Sequence, residues 1–265
     1  MYTKETIKVG FLGFGNMAQA IAKGFLEKGT LSGKQIFASG RNAEKLEKNT
    51  SQAGIQASRS NQELVQTVDL VVLAVKPYQI EEVVQDLKED LAGKIVVSVA
   101  VGVHFEELSD MLPSDTQHIS ILPNTPIAVG EGATTVEEKH SLTEDSYQIF
   151  RELFESISVL TTVDTSQMAV AGVINGCGPA FVALFIEAMA DGAVKHGLSR
   201  SEAYQLASQT ISGTGQLQLK TGDHPGAMKD AVTSPGGTTI KGVAALEENA
   251  FRSSVIQAFD AILGD

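Results

Sequence analysis

The chain has 265 residues, a formal net charge of −12 at pH 7 and a pI near 4.9. That balance argues against nucleic acid and anionic membrane surfaces as partners, and it requires any anionic ligand to be held by local groups. A single cysteine, Cys177, excludes an internal disulfide and a thiolate metal cluster, which fits a cytoplasmic setting.

The first half alternates β-rich runs with amphipathic stretches. IKVGFLG, KQIFAS, GIQAS, VDLVVLAV, KIVVSVAV and HISIL are continuous Val- and Ile-rich runs, the pattern of strands buried on both faces. Between them lie the helical patterns NMAQAIAKGFLEKG, NAEKLEKNTSQAG, NQELVQTV, YQIEEVVQDLKEDL and HFEELSDML. Ser60 and Glu63 form a capping box for the third. Two weaker strands, GATTVE and ISVLTTV, flank the helical LTEDSYQIFRELFES. Strand and helix in regular alternation predict a Rossmann-type, doubly wound parallel sheet over residues 1–163.

From residue 164 to 265 the pattern is helical throughout, predicting an all-helical C-terminal domain whose abundant apolar surface is completed by another copy of the chain. Residues 168–186 carry no charged side chain, but Asn175, Gly176, Gly178 and Pro179 interrupt the run. A helix buried between protein surfaces is the reading adopted over a membrane span. The N-terminus lacks the apolar core and small-residue site of a signal peptide.

The first strand enters Gly13-Phe14-Gly15-Asn16-Met17-Ala18, a G-x-G-x-x-A sequence at the mouth of the first helix. Gly13 permits the turn, Gly15 lets a pyrophosphate reach the main chain, and Ala18 allows close strand–helix packing, so a dinucleotide is the predicted cofactor. The second strand ends in Ser39-Gly40-Arg41-Asn42, with no carboxylate for ribose hydroxyls; Arg41 supplies a charged fork, and Ser39 and Asn42 supply neutral donors. This favours NADPH, with NADH still possible; the plainer alternative is a helix cap with a solvated arginine. Ala74, Val75, Lys76 and Pro77 follow the fourth strand at the sheet edge where ligands bind. Lys76 reads as solvated rather than catalytic. Residues 122–126, with Pro123 and Pro126, form a rigid turn that presents Asn124 toward the nicotinamide side. The five histidines, His104, His118, His140, His196 and His224, are scattered and none has metal-pair spacing, so no metal is expected.

Near the C-terminus VTSPGGTT runs into a helical stretch. Pro235 and the glycines suit a tight helix entry, and the same unpaired N–H groups suit a carboxylate or phosphate. Together with Gly13 to Ala18, AVKP at 74–77, PNTP at 123–126, GxGPAF at 176–181 and DAVTSPGGTT at 230–239, the chain resembles pyrroline-5-carboxylate reductase over nearly its whole length. The resemblance implies reduction of the cyclic imine Δ1-pyrroline-5-carboxylate to L-proline by NAD(P)H. It also implies a homodimer or larger assembly through the helical domain, with each active site near the subunit junction. Carried over residue by residue, it implies that Ser234, Gly237 and Thr238 hold the substrate carboxylate, that Thr239 places its hydroxyl near the ring nitrogen, and that Asn61 contacts ribose. The chain departs from the family's usual SGSGPAY at Asn175, Cys177 and Phe181. Rival readings are a β-hydroxyacid dehydrogenase, disfavoured because the GxGPAF helix offers no lysine before Lys195, and a non-catalytic NADP-binding regulator.

Overall fold

A computed structural model describes residues 2–264. Eight strands form one sheet: β1 (Val9–Leu12), β2 (Ile36–Ser39), β3 (Gln56–Ala57), β4 (Leu70–Leu73), β5 (Ile95–Ser98), β6 (Gln117–Leu122), β7 (Gly132–His140) and β8 (Ser158–Val163). They are ordered β3-β2-β1-β4-β5-β6-β7-β8. The pairs from β3 through to β6 are parallel, as is β7 with β8. This is the doubly wound, mainly parallel sheet expected from the sequence, with one departure: β7 runs antiparallel to β6. The connection between them is short, the 3₁₀ turn Thr125–Val129, and a parallel return would need a crossover of a dozen or more residues.

The helices covering the sheet are α1 (Asn16–Glu27), α2 (Ala43–Ala53), α3 (Asn61–Thr67), α4 (Ile80–Asp86), α5 (Phe105–Met111) and α6 (Glu144–Phe154). Side chains alternate across the strands, so each face has its own core. Val9, Phe11, Leu70, Val72, Ile95 and Val97 pack with Ile21 and Phe25 of α1 and Phe150 and Phe154 of α6. Leu12, Val71, Leu73 and Val96 pack with Leu64 of α3, Val84 of α4 and Leu108 of α5. Burial on both faces explains why these strands read as unbroken apolar runs.

After β8 come α7 (Met168–Gly172), a π-helical turn (Val173–Cys177), α8 (Gly178–Lys195), α9 (Arg200–Thr221), α10 (Pro225–Ala231), α11 (Thr238–Glu248) and α12 (Phe251–Leu263). Two compact units result, Met1–Pro179 and Ala180–Asp265. The change from strand to helix pattern at 163/164 therefore precedes the division in packing. Residues 164–179 belong physically with the sheet. Met168 is fully buried, the Thr165 hydroxyl donates to the buried carboxylate of Glu137 at 2.6 Å, and Asn175 is bonded to β6 and β7.

Within the second unit, Phe185–Phe251 and Phe181–Phe259 ring contacts join α8 to α12. Large apolar side chains nevertheless stay exposed, among them Leu184, Leu206, Leu219 and Ile256. The helical run Thr165–Lys195 is long and apolar enough to cross a membrane by length and composition, and only 11% of its most apolar window is buried within the chain.

Candidate active site

The carboxyl ends of β1, β2 and β4 meet where strand order reverses. Leu12 pairs with Ser39 on one side and Leu73 on the other. The Gly13 N–H donates to the Ser39 carbonyl at 3.2 Å, and the Ala74 N–H to the Leu12 carbonyl at 2.9 Å. Gly13 sits at φ +88°, and a Cβ there would lie 3.0 Å from the Ala74 carbonyl oxygen; both observations demand glycine. Gly15 is the N-cap of α1, with no side chain capping the helix. A Cβ on Gly15 would meet nothing within 4 Å. The opening N–H groups of α1, from Asn16 and Met17 onward, thus face an open cradle with their partial positive charge unspent, an arrangement that accepts a pyrophosphate. The residues present fit the dinucleotide their spacing predicts.

The side chains around the cradle are more committed than the sequence indicates. Ser39 is 2% exposed, and its hydroxyl donates to Asn61 Oδ1 at 2.7 Å, so the two polar residues read as separate contacts form one pair. Asn42 caps α2, its Oδ1 accepting from the Lys45 N–H at 2.8 Å. Arg41 remains exposed. Its guanidinium lies against Gln79, in the 3₁₀ turn Pro77–Gln79 that follows Lys76. With the Gln79 amide turned to satisfy its neighbours, its carbonyl accepts from both Arg41 Nη atoms at 3.0 and 3.1 Å. Val75 packs on the core beneath, and Lys76 is exposed.

At the end of β6, Asn124 is 7% exposed and its Oδ1 accepts from the Ala133 N–H at 2.9 Å. Its carbonyl is therefore spent on holding the turn against β7. Asn175 meets the same strands from the π-helical turn: its amide donates to the Leu122 carbonyl, to Thr135 Oγ1 at 3.1 Å and to the Ala133 carbonyl at 3.5 Å. The Asn175 carbonyl oxygen is buried with no partner. Cys177, on the same turn, is a partly buried free thiol.

In the helical unit, the Gly237 N–H donates to the Ser234 carbonyl at 3.0 Å, and Gly236, at φ +69°, follows Pro235. This is the pattern of a type II turn, with proline second and a left-handed glycine third. A Cβ on Gly237 would lie 2.5 Å from Ser234 Oγ, so the hydroxyl folds over the glycine only because a side chain is missing. Gly237 is the N-cap of α11, which no side chain caps. Thr238 and Thr239 open that helix on the exposed surface. The turn thus places the uncapped N–H groups of α11 beside three hydroxyl-bearing residues, Ser234, Thr238 and Thr239.

Three of the histidines lie in structural settings. His118 is bonded to Ser109 and Ser141 and stacked on Phe105. His140 is stacked on Tyr147, and burial pushes it below its ordinary range. His224 Nδ1 accepts from the Gly226 N–H and caps α10. Sequence reasoning missed Gln79 and the buried Glu137, whose carboxylate also accepts from the Phe105 N–H at 2.8 Å. Neither carries a motif, and only the tertiary fold gives each its partner.

Comparison with known proteins sets these features in a family. Residues 165–264 match the family described as pyrroline-5-carboxylate reductase dimerisation, and residues 8–102 match NADP oxidoreductase coenzyme F420-dependent. The pyrroline-5-carboxylate reductase of Treponema pallidum is 42% identical over 261 residues, covering 97% of this chain and 99% of that one. The chain belongs to the pyrroline-5-carboxylate reductase family. The Escherichia coli K12 reductase is 38% identical over 252 residues, 95% of this chain and 94% of its own length. Among solved structures, the Plasmodium falciparum pyrroline carboxylate reductase with NADP bound has a TM-score of 0.86 at 32% identity, covering 97% of this chain and 96% of that one. The matched dimerisation region begins at 165, whereas the division in packing lies after Pro179.

Proposed function

We infer that the protein reduces the cyclic imine Δ1-pyrroline-5-carboxylate to L-proline with NADPH, the last step of proline biosynthesis. The observation that carries this reading is the uncapped entrance of α11: a glycine-bearing turn with free amides and three hydroxyls, suited to a small carboxylate, in a chain that also keeps a dinucleotide cradle.

Gly13, Gly15, Asn16 and Met17 would hold the pyrophosphate through main-chain N–H groups. Arg41 would face the 2′-phosphate, with Asn42 and Lys76 beside it, and the Ser39–Asn61 pair would lie against the ribose. Ala74, Val75 and Pro77 would floor the adenosine side, and the Asn124 turn would border the nicotinamide. When bound, NADPH supplies the hydride. In the helical unit, Ser234, Gly237 and Thr238 hold the substrate carboxylate, and Thr239 hydrogen-bonds the ring nitrogen. The imine carbon gains the hydride, the C=N electron pair passes to nitrogen, and that nitrogen, protonated beforehand, becomes a secondary amine. No strong protein acid is needed, and positioning supplies most of the acceleration.

The apolar helical unit is the surface through which copies associate, as a homodimer or larger assembly in the cytoplasm, without nucleic acid or membrane. The run Thr165–Lys195 is anchored to the sheet through Pro179, which leaves residues 180–195. At 1.5 Å per residue these span about 24 Å, short of the ~30 Å hydrocarbon layer.

The test is a cofactor-oxidation assay with the cyclic imine and, separately, with 3-hydroxyacids and NADP. Rapid NADPH loss with the imine supports the reading. Turnover confined to hydroxyacids, or cofactor binding without any turnover, refutes it.

A further inference from the structure

We propose that Gln79 is a positioning residue for NADPH: its side-chain carbonyl holds the Arg41 guanidinium in the orientation that meets the 2′-phosphate. This rests on the reading that Arg41 faces that phosphate.

Arg41 stands at the exposed end of β2 on a long flexible side chain. Left alone it would be a diffuse charge, and a bound phosphate would have to order it on every encounter. Gln79 supplies the missing order. It is 8% exposed and sits in a turn after β4 closed by its own N–H donating to the Lys76 carbonyl at 2.9 Å. In one amide orientation Gln79 Oε1 meets only the Lys76 N–H, at 3.4 Å, and the amide nitrogen is aimed at the arginine's own donors. In the other, the carbonyl accepts from both Nη atoms at 3.0 and 3.1 Å. The second exchanges one long contact for two short ones to the guanidinium, and amide orientation is assigned on that ground.

The chemistry favours an amide here over a carboxylate. A guanidinium carries five N–H donors in a rigid plane. A single carbonyl between the two Nη groups occupies two of them, fixes the plane and leaves three donors. Being neutral, it also leaves the positive charge undiminished for the phosphate, whereas a glutamate would pair with the arginine and offset it. Gln79 thus acts through Arg41 and has no role toward NADH, which lacks the 2′-phosphate.

The test compares Gln79→Met, Arg41→Met and the double variant by the ratio of kcat/KM for NADPH to that for NADH. Dissociation constants for each reduced cofactor come from nicotinamide fluorescence. Methionine keeps the length of Gln79 and removes the acceptor; Gln79→Leu is a second variant making the same deletion, and melting temperatures check folding. The ratio is expected to fall about three- to tenfold in Gln79→Met and further in Arg41→Met, with the double variant matching Arg41→Met alone, as a residue acting through another requires. Equal losses toward both cofactors in the Gln79 variants, or an undiminished Gln79 effect without Arg41, would overturn the proposal. An unchanged ratio in Arg41→Met would instead remove the underlying phosphate reading, and the proposal with it.

Discussion

Thr239 and the two cradle glycines carry the sharpest claims at the level of single residues. Thr239 stands at the second position of α11, exposed beside an uncapped turn. Thr239→Ala should lower kcat with the imine roughly ten- to a thousandfold, about 1.4 to 4 kcal/mol of barrier, with NADPH affinity retained; equal turnover would remove Thr239 from the mechanism. Gly13 and Gly15 look interchangeable in the motif but differ in physical demand. Gly13→Ala places a methyl at φ +88° against the Ala74 carbonyl and should cost about 1–2 kcal/mol of stability. Gly15→Ala meets no protein atom, so it should change stability by under about 1 kcal/mol while weakening NADPH at least about tenfold, its methyl filling the cradle. Chemical denaturation and cofactor titration of the two variants separate the cases, and matching profiles would contradict the distinction. Spacing in the chain told which residues sit at strand ends, but not where their side chains turn. Ser39, Asn42 and Asn124 all spend polar groups on the protein itself, because rotamer and partner are set by folding rather than by motif.

The strands of the nucleotide-binding half were legible because burial on both faces leaves an unmistakable apolar run, as in residues 70–73 and 95–98. The direction of β7 was not, since side-chain alternation is the same in either sense and only the short connection through Thr125–Val129 forces the antiparallel return. The π-helical turn was visible only as a departure from the family pattern at Asn175. In the fold that amide is a clamp, tying the turn to the Leu122 carbonyl and Thr135 at the end of the sheet. Asn175→Leu leaves those buried acceptors without a donor and should destabilise the sheet unit by about 2 kcal/mol. Asn175→Ser, which keeps one donor, should cost less. Denaturant midpoints that do not move in Asn175→Leu would show that the clamp contributes nothing.

For the whole molecule, the sequence pattern changes from alternating elements to helices near residue 164, and the dimerisation match covers residues 165–264. It did not reveal that the first helical residues pack with the sheet, because helical periodicity reports local structure and Met168, Thr165 and Asn175 find their partners only across the fold. The exposed apolar side chains of the helical unit fit the dimerisation family that this region matches. The proposed reaction is hydride transfer from NADPH to the imine carbon of Δ1-pyrroline-5-carboxylate. The most direct measurement follows the label: enzyme, Δ1-pyrroline-5-carboxylate and NADPH deuterated at the transferable position of nicotinamide C4, with the product read by mass spectrometry. The account predicts L-proline carrying a single deuterium at its δ carbon, formed in step with cofactor consumed; proline without the label, or labelled cofactor left unconsumed in the presence of the imine, would contradict it.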